Sequence, residues 1–149
     1  RYYVVFRGAR YFTASFVKPD SDEYIVESHC GFIEVRNEDV AYYYVALLNY
    51  LAYKVAESKR SVQRAQLARP LTALYVLGLS WCDVDEKIRL RVAELSKELH
   101  KKAPSKEYGN QSVALREIST YPEFRELKEL LDKVVDKRKL EEALDLVSG

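Results

Sequence analysis

Between Lys54 and Arg69 the chain carries five basic residues (Lys54, Lys59, Arg60, Arg64 and Arg69) against one acid, Glu57. Gln63 and Gln66 lie among them. A guanidinium pairs bidentately with a phosphate or a guanine edge, and a glutamine amide pairs with an adenine edge. On a helix, Arg60 and Arg64 are four apart and share a face bordered by Lys59 and Gln63. The segment is therefore the candidate nucleic-acid contact surface. Arg7, Arg10 and Lys18 make a second basic patch near the N-terminus. A plainer reading uses the same charges differently: a solvated helix face whose arginines pair with the acids of residues 20–39. Charge alone leaves both readings open.

Other chemistries find less to work with. A phosphate-binding loop needs several glycines ahead of a helix, and the five glycines here are scattered. The only histidines are His29 and His100, and His29 and Cys30 would point to opposite faces of a strand, so no metal site is expected. His29 beside Glu27 and Cys30 is a faint hint of nucleophilic catalysis, better read as the end of a surface strand. Asp20, followed by Glu34-Val35-Arg36, echoes the acid and acid-x-lysine spacing of metal-dependent nucleases. Here arginine replaces the lysine and cannot serve as a base, because it does not deprotonate. Asp20 also reads as part of a turn.

The totals bound these options. A chain of 149 residues suits one core, or a core with a helical appendage. Its net charge is only +1, so any attraction for a polyanion has to be local. The charge is indeed uneven: residues 1–19 hold four bases and no acid, and residues 20–50 hold seven acids and one base. Two basic patches flanking an acidic one can still focus a phosphate backbone. Cys30 and Cys82 lack metal-ligand spacing and read as two small buried hydrophobes in a reducing compartment. The longest apolar run, Ala41–Tyr53, is interrupted by Asn49 and holds five tyrosines, too short and polar to span a bilayer. No signal peptide is visible, so a cytoplasmic location is expected. The chain has no methionine and opens on Arg1, which suggests a fragment of something longer. Abundant Arg, Tyr, Glu and Val with little Gln, Asn and Cys hints at a thermophile.

The elements that must position these residues follow from periodicity. Residues 2–6, 11–17, 24–28 and 31–35 read as short strands. In the second, Phe12, Ala14 and Phe16 share one face. Asn37 reads as the N-cap of a helix running to about Ser58, with Val40, Tyr44, Leu47, Leu48, Leu51 and Val55 as its apolar stripe. Tyr42, Tyr43 and Tyr44 cannot all face one way, so one or two are expected at the surface or an interface; packing of the helix on the sheet explains these rings better than stacking on unpaired bases, because Val40, Leu47 and Leu48 beside them demand a core. Residues 61–77 look helical, with Pro70 disturbing that helix or starting a new one, and Gly78 stops it. Residues 83–102 form an amphipathic helix burying Ile88, Val92, Leu95 and Leu99. After a linker at 104–110, helices at 122–135 and 139–147 close the chain, turning Phe124, Leu127, Leu131, Leu140, Leu144 and Val147 inward. The expected class is α+β: a small antiparallel sheet at the N-terminus, then helices. Residues 1–104 are read as the α+β core and 105–149 as a helical C-terminal extension.

The stretch Asn37–Val55, NEDVAYYYVALLNYLAYKV, resembles the helix of the target-recognition regions of restriction–modification proteins. Such regions follow the catalytic domain in N6-adenine DNA methyltransferases and form the specificity subunits of type I systems. YFTASFVKP and EYIVESHCGFIEV upstream are similar to the sheet that precedes that helix. RSVQRAQLARPLTALYVLGLSW downstream is similar to the segment that follows it in archaeal members. The similarity spans residues 11–82 and is most specific at Ala46-Leu47-Leu48-Asn49, where many members continue with serine and this chain has Tyr50. The resemblance implies recognition of double-stranded DNA without catalysis. The adenine-methylating motif (Asn or Asp, Pro, Pro, aromatic) and the S-adenosylmethionine loop are absent from these residues. They would belong to an upstream part or a partner methyltransferase, and no cofactor is expected here. The resemblance makes Asn49 a structural residue.

Two alternatives stay open. The helices from Asp83 to Gly149 could form a protein–protein assembly domain, or Asp20 and Glu34 could serve a metal-dependent nuclease.

Overall fold

A computed structural model describes residues 2–7, 14–17, 30–58, 69–102 and 116–148. Three strands form one antiparallel sheet in the order β2-β1-β3: β1 is Tyr2–Arg7, β2 Ala14–Val17 and β3 Cys30–Val35. Register pairs Val4 with both Phe16 and Ile33, and Phe6 with Ala14 and Gly31. Alternation along β1 buries Val4 and Phe6, whereas Tyr3 and Val5 are half-buried on the other face. The expected strand at 24–28 lies outside the described residues, as do residues 11–13 of the second strand.

Among the described residues, the helices with defined bounds are α1 (Glu38–Glu57), α2 (Arg69–Val76), α3 (Glu86–Lys102), α4 (Pro122–Val134) and α5 (Lys137–Ser148). The class is α+β, as the sequence predicts. Asn37 caps α1, its Oδ1 accepting from the amides of Asp39 at 2.8 Å and Val40 at 3.4 Å. Glu38 and Asp39 follow in the first turn, where the helix dipole favours acids. Pro70 is the second residue of α2, in the first turn where its missing N–H costs no intrahelical bond. Whether a helix precedes it at 61–68 falls outside the described residues.

Gly78 ends α2 at φ 68°. Its amide donates to Tyr75 O at 3.0 Å, and the Leu79 amide donates to Leu74 O at 3.2 Å. These are the two bonds of a Schellman cap, closed by burial of Leu74 and Leu79. The next helix begins three residues later than its periodicity suggests, because Trp81–Asp83 forms a separate 3₁₀ turn. Arg89 secures that turn: its guanidinium lies 4.9 Å from the Trp81 ring centroid and donates to Trp81 O at 2.9 Å. At the other end of the chain α5 starts two residues earlier than expected. The Asp136 carboxylate caps it by accepting from the amides of Arg138 (2.8 Å) and Lys139 (3.2 Å).

One helix organises the whole. The sheet packs on α1, as do α2, α3 and α5, while α4 lies on α3 and α5 on α2. Enclosed in this way, α1 buries Ala41, Tyr42, Tyr43, Val45, Ala46, Leu47, Leu48, Tyr50, Leu51, Ala52 and Val55. Of the three consecutive tyrosines, Tyr42 and Tyr43 are buried and Tyr44 is half-buried, so packing accounts for these rings and Tyr44 alone keeps partial access to the surface. A stripe suffices for a helix on one partner, but a central helix is covered around most of its circumference. The tyrosine hydroxyls then need partners. Tyr43 donates to Leu79 O at 2.6 Å, and the Tyr44 hydroxyl accepts from the Trp81 amide at 3.2 Å.

Leu127 and Leu131 of α4 and Ala143, Leu144 and Val147 of α5 join the same core cluster as α1, so the C-terminal helices close over the common core. Cys82 is exposed, contrary to the expectation of burial, because the 3₁₀ turn carries it outward. No helix among the described residues is long and apolar enough to cross a membrane.

Candidate nucleic-acid interface

Of the ten candidate contact residues, Lys54 is the one whose side chain is described. It stands in the last turn of α1 with its side chain only 11% exposed. Its ammonium lies 2.9 Å from Asp132 Oδ1 and 3.7 Å from Glu57, and 5.6 Å from the centroid of the Tyr50 ring. Arg69 opens α2 and Arg7 closes β1, with backbone positions described. Lys59, Arg60, Gln63, Arg64, Gln66, Arg10 and Lys18 lie outside the described residues. The basic run therefore leaves from the end of a buried helix and returns at the first turn of another. Of the nuclease pair, Glu34 is exposed on β3 and Asp20 lies outside the described residues.

Asp132, on α4, is the residue that periodicity did not single out. Its carboxylate accepts from the Tyr50 hydroxyl at 2.6 Å and meets Lys54 at 2.9 Å and Lys128 at 3.2 Å. Burial works to raise its pKa. The bonds from Tyr50, Lys54 and Lys128 outweigh that and hold the carboxyl below the usual range. Burial first, and the Asp132 bond second, push the Tyr50 phenol well above its ordinary value. Tyr50 and Asp132 are 82 residues apart, so no local spacing could have announced the cluster.

Beside it lies an open cleft of about 270 Å³ lined by Tyr53, Ser119, Phe124, Arg125, Lys128 and Glu129. Tyr53 meets Phe124 edge-on with centroids 5.4 Å apart, and the Lys128 ammonium sits 6.0 Å from the Tyr53 ring centroid. Arg125 donates to Thr120 O at 2.9 Å. Lys128 also pairs with Asp132 at 3.2 Å.

Three further ion pairs among the described residues tie helices together. Arg91 grips Glu126 with two bonds, at 2.6 and 2.8 Å, tying α3 to α4. That grip first, and the attraction of the guanidinium second, lower the Glu126 pKa despite the opposing effect of burial. Lys102 pairs with Glu123 across the same helices, and Lys97 reaches Glu38 of α1 at 3.5 Å. One aromatic side chain stands apart. Tyr75 on α2 is 76% exposed, six residues after Arg69, and such a ring can stack on an unpaired base or meet a protein partner.

No family model matches the chain, and no curated protein or solved structure is significantly similar to it.

Proposed function

We propose that this chain is a non-catalytic module that recognises double-stranded DNA in the cytoplasm, within a restriction–modification methyltransferase system. The observation that carries the reading is the basic run from Lys54 to Arg69, five bases against one acid in a chain of net charge +1. Its first and last bases, Lys54 and Arg69, belong to α1 and α2. Arg60, Arg64 and Arg69 hold phosphates and fix register, and Gln63 and Gln66 with the arginines read base edges. Lys59, Arg7, Arg10 and Lys18 support the backbone contacts. A catalytic domain or subunit elsewhere supplies S-adenosylmethionine and the methylation chemistry.

A second reading, a protein–protein assembly domain, draws support from the exposed apolar side chains Tyr75, Leu90 and Val134. Fluorescence anisotropy against a random duplex pool, titrated across salt, separates the two. The DNA reading expects a Kd of about 10⁻⁴ to 10⁻⁶ M with a steep salt slope. Replacing both Arg60 and Arg64 with alanine should flatten that slope by about 1.8, at roughly 0.9 per phosphate. No binding at low salt, together with a concentration-dependent mass, would hand the basic run to a protein partner.

A further inference from the structure

We propose that Asp132 acts as an internal competitor for the DNA phosphate backbone, holding Lys54 out of the contact surface until its charge is removed. The inference rests on the DNA reading above and concerns how strongly that surface is charged.

Lys54 is the first base of the run, placed in the last turn of α1 ahead of Lys59. A carboxylate and a phosphate offer a lysine the same thing, anionic oxygens that accept charge-assisted hydrogen bonds. Asp132 already occupies that role at 2.9 Å. The carboxylate is held from a second direction by the Tyr50 hydroxyl at 2.6 Å, which keeps it aimed at α1. Its other oxygen takes Lys128 at 3.2 Å. Glu57 stands 3.7 Å from Lys54, the one further acid in contact with it among the described residues. Two lysines thus face two acids, and the cluster is neutral. Neutralising Asp132 leaves a surplus positive charge beside the start of the basic run. It also frees Lys128, one helical turn from Arg125.

The test uses the full chain and a random DNA duplex, with wild type, Asp132→Asn, Lys54→Gln and the double variant compared across salt. Asparagine retains an oxygen for the Tyr50 hydroxyl and removes only the charge. Each phosphate newly engaged steepens the salt slope by about 0.9, which at 0.1 M salt is roughly an eightfold gain in affinity. We therefore expect Asp132→Asn to bind about eightfold tighter, Lys54→Gln alone to leave the slope unchanged, and the double variant to lose the gain. Should wild type bind while Asp132→Asn keeps the same slope, the competitor role is wrong and the DNA reading survives. If Lys54→Gln alone flattens the slope by about 0.9, Lys54 is already engaged, and the inference is again overturned. That comparison decides the matter even if Asp132→Asn fails to fold. Absence of binding by both wild type and Asp132→Asn at low salt removes the DNA reading and the competitor role together.

Discussion

The most exacting test of the architecture is Tyr43→Phe. Tyr43 is fully buried in the middle of α1. Its ring stands edge-on to Trp81, with centroids 5.2 Å apart, and to Tyr44 at 5.5 Å. Phenylalanine preserves that packing and the buried apolar area, so nearly all of the effect comes from the hydroxyl. The hydroxyl donates to Leu79 O at 2.6 Å, just beyond the Schellman cap of α2. Without it a buried carbonyl loses its donor, at a cost of about 1–3 kcal/mol. For a chain of this length each kcal/mol lowers Tm by roughly 2–4 °C, so a drop of about 2–12 °C is expected. Thermal unfolding followed by circular dichroism reads it directly. Tyr75→Phe on the exposed face of α2 is the control and should change stability by less than about 0.5 kcal/mol. A Tyr43→Phe protein that melts within a degree of wild type would refute the reasoning. It would mean that another donor satisfies the Leu79 carbonyl, and that α1 and α2 are not joined through this bond.

Two further outcomes follow from the same contacts. Gly78→Ala should cost about 1 kcal/mol, read as a lower Tm. The added Cβ meets nothing within 4 Å, so the loss comes from the left-handed backbone at φ 68° alone, and a neutral result would contradict that geometry. Stability should also fall at both ends of the pH range. Folding depresses the pKa of Asp132, so its contribution is present above its unfolded pKa near 4 and is lost as acid titrates the folded carboxylate. Burial raises the Tyr43 and Tyr50 phenols, so their contribution is complete below their unfolded pKa near 10 and is lost as pH rises beyond it. Urea midpoints measured from pH 3 to 11 should trace this dome. Asp132→Asn should flatten its acid limb and Tyr43→Phe part of its alkaline limb, and unchanged limbs would sink the assignment.

What the sequence revealed and what it hid divide along one physical line. Local signals were legible: Asn37 two and three residues ahead of the amides it caps, Pro70 at a helix start, and Gly78 at a position that needs positive φ. Each of these works through the residue's own backbone chemistry, over a few positions. The apolar spacing of Phe124, Leu127 and Leu131 likewise marked the face of α4 that became core. The burial of Tyr42 and Tyr43 was hidden, because it depends on how many partners α1 has rather than on its own pattern. Cys82 was misplaced for the same reason, since the three-residue 3₁₀ turn Trp81–Asp83 decides its exposure.

Lys54 carries the lesson into function. In sequence it is one more base in a basic run, indistinguishable in kind from Lys59. In the fold it is the lysine that faces Asp132, a residue on a helix more than seventy positions away, and its side chain is only 11% exposed. Formal charge in a window therefore overstates the charge that a surface can offer, by however many of its cations the rest of the chain has claimed. For a protein of net charge +1 that difference matters. If the run binds DNA as proposed, holding back one lysine of five would lower its salt slope by about 0.9, a change of roughly eightfold in affinity at 0.1 M salt. On the DNA reading proposed above, part of the affinity would be set in α4, and a mutational survey confined to residues 54–69 would miss it.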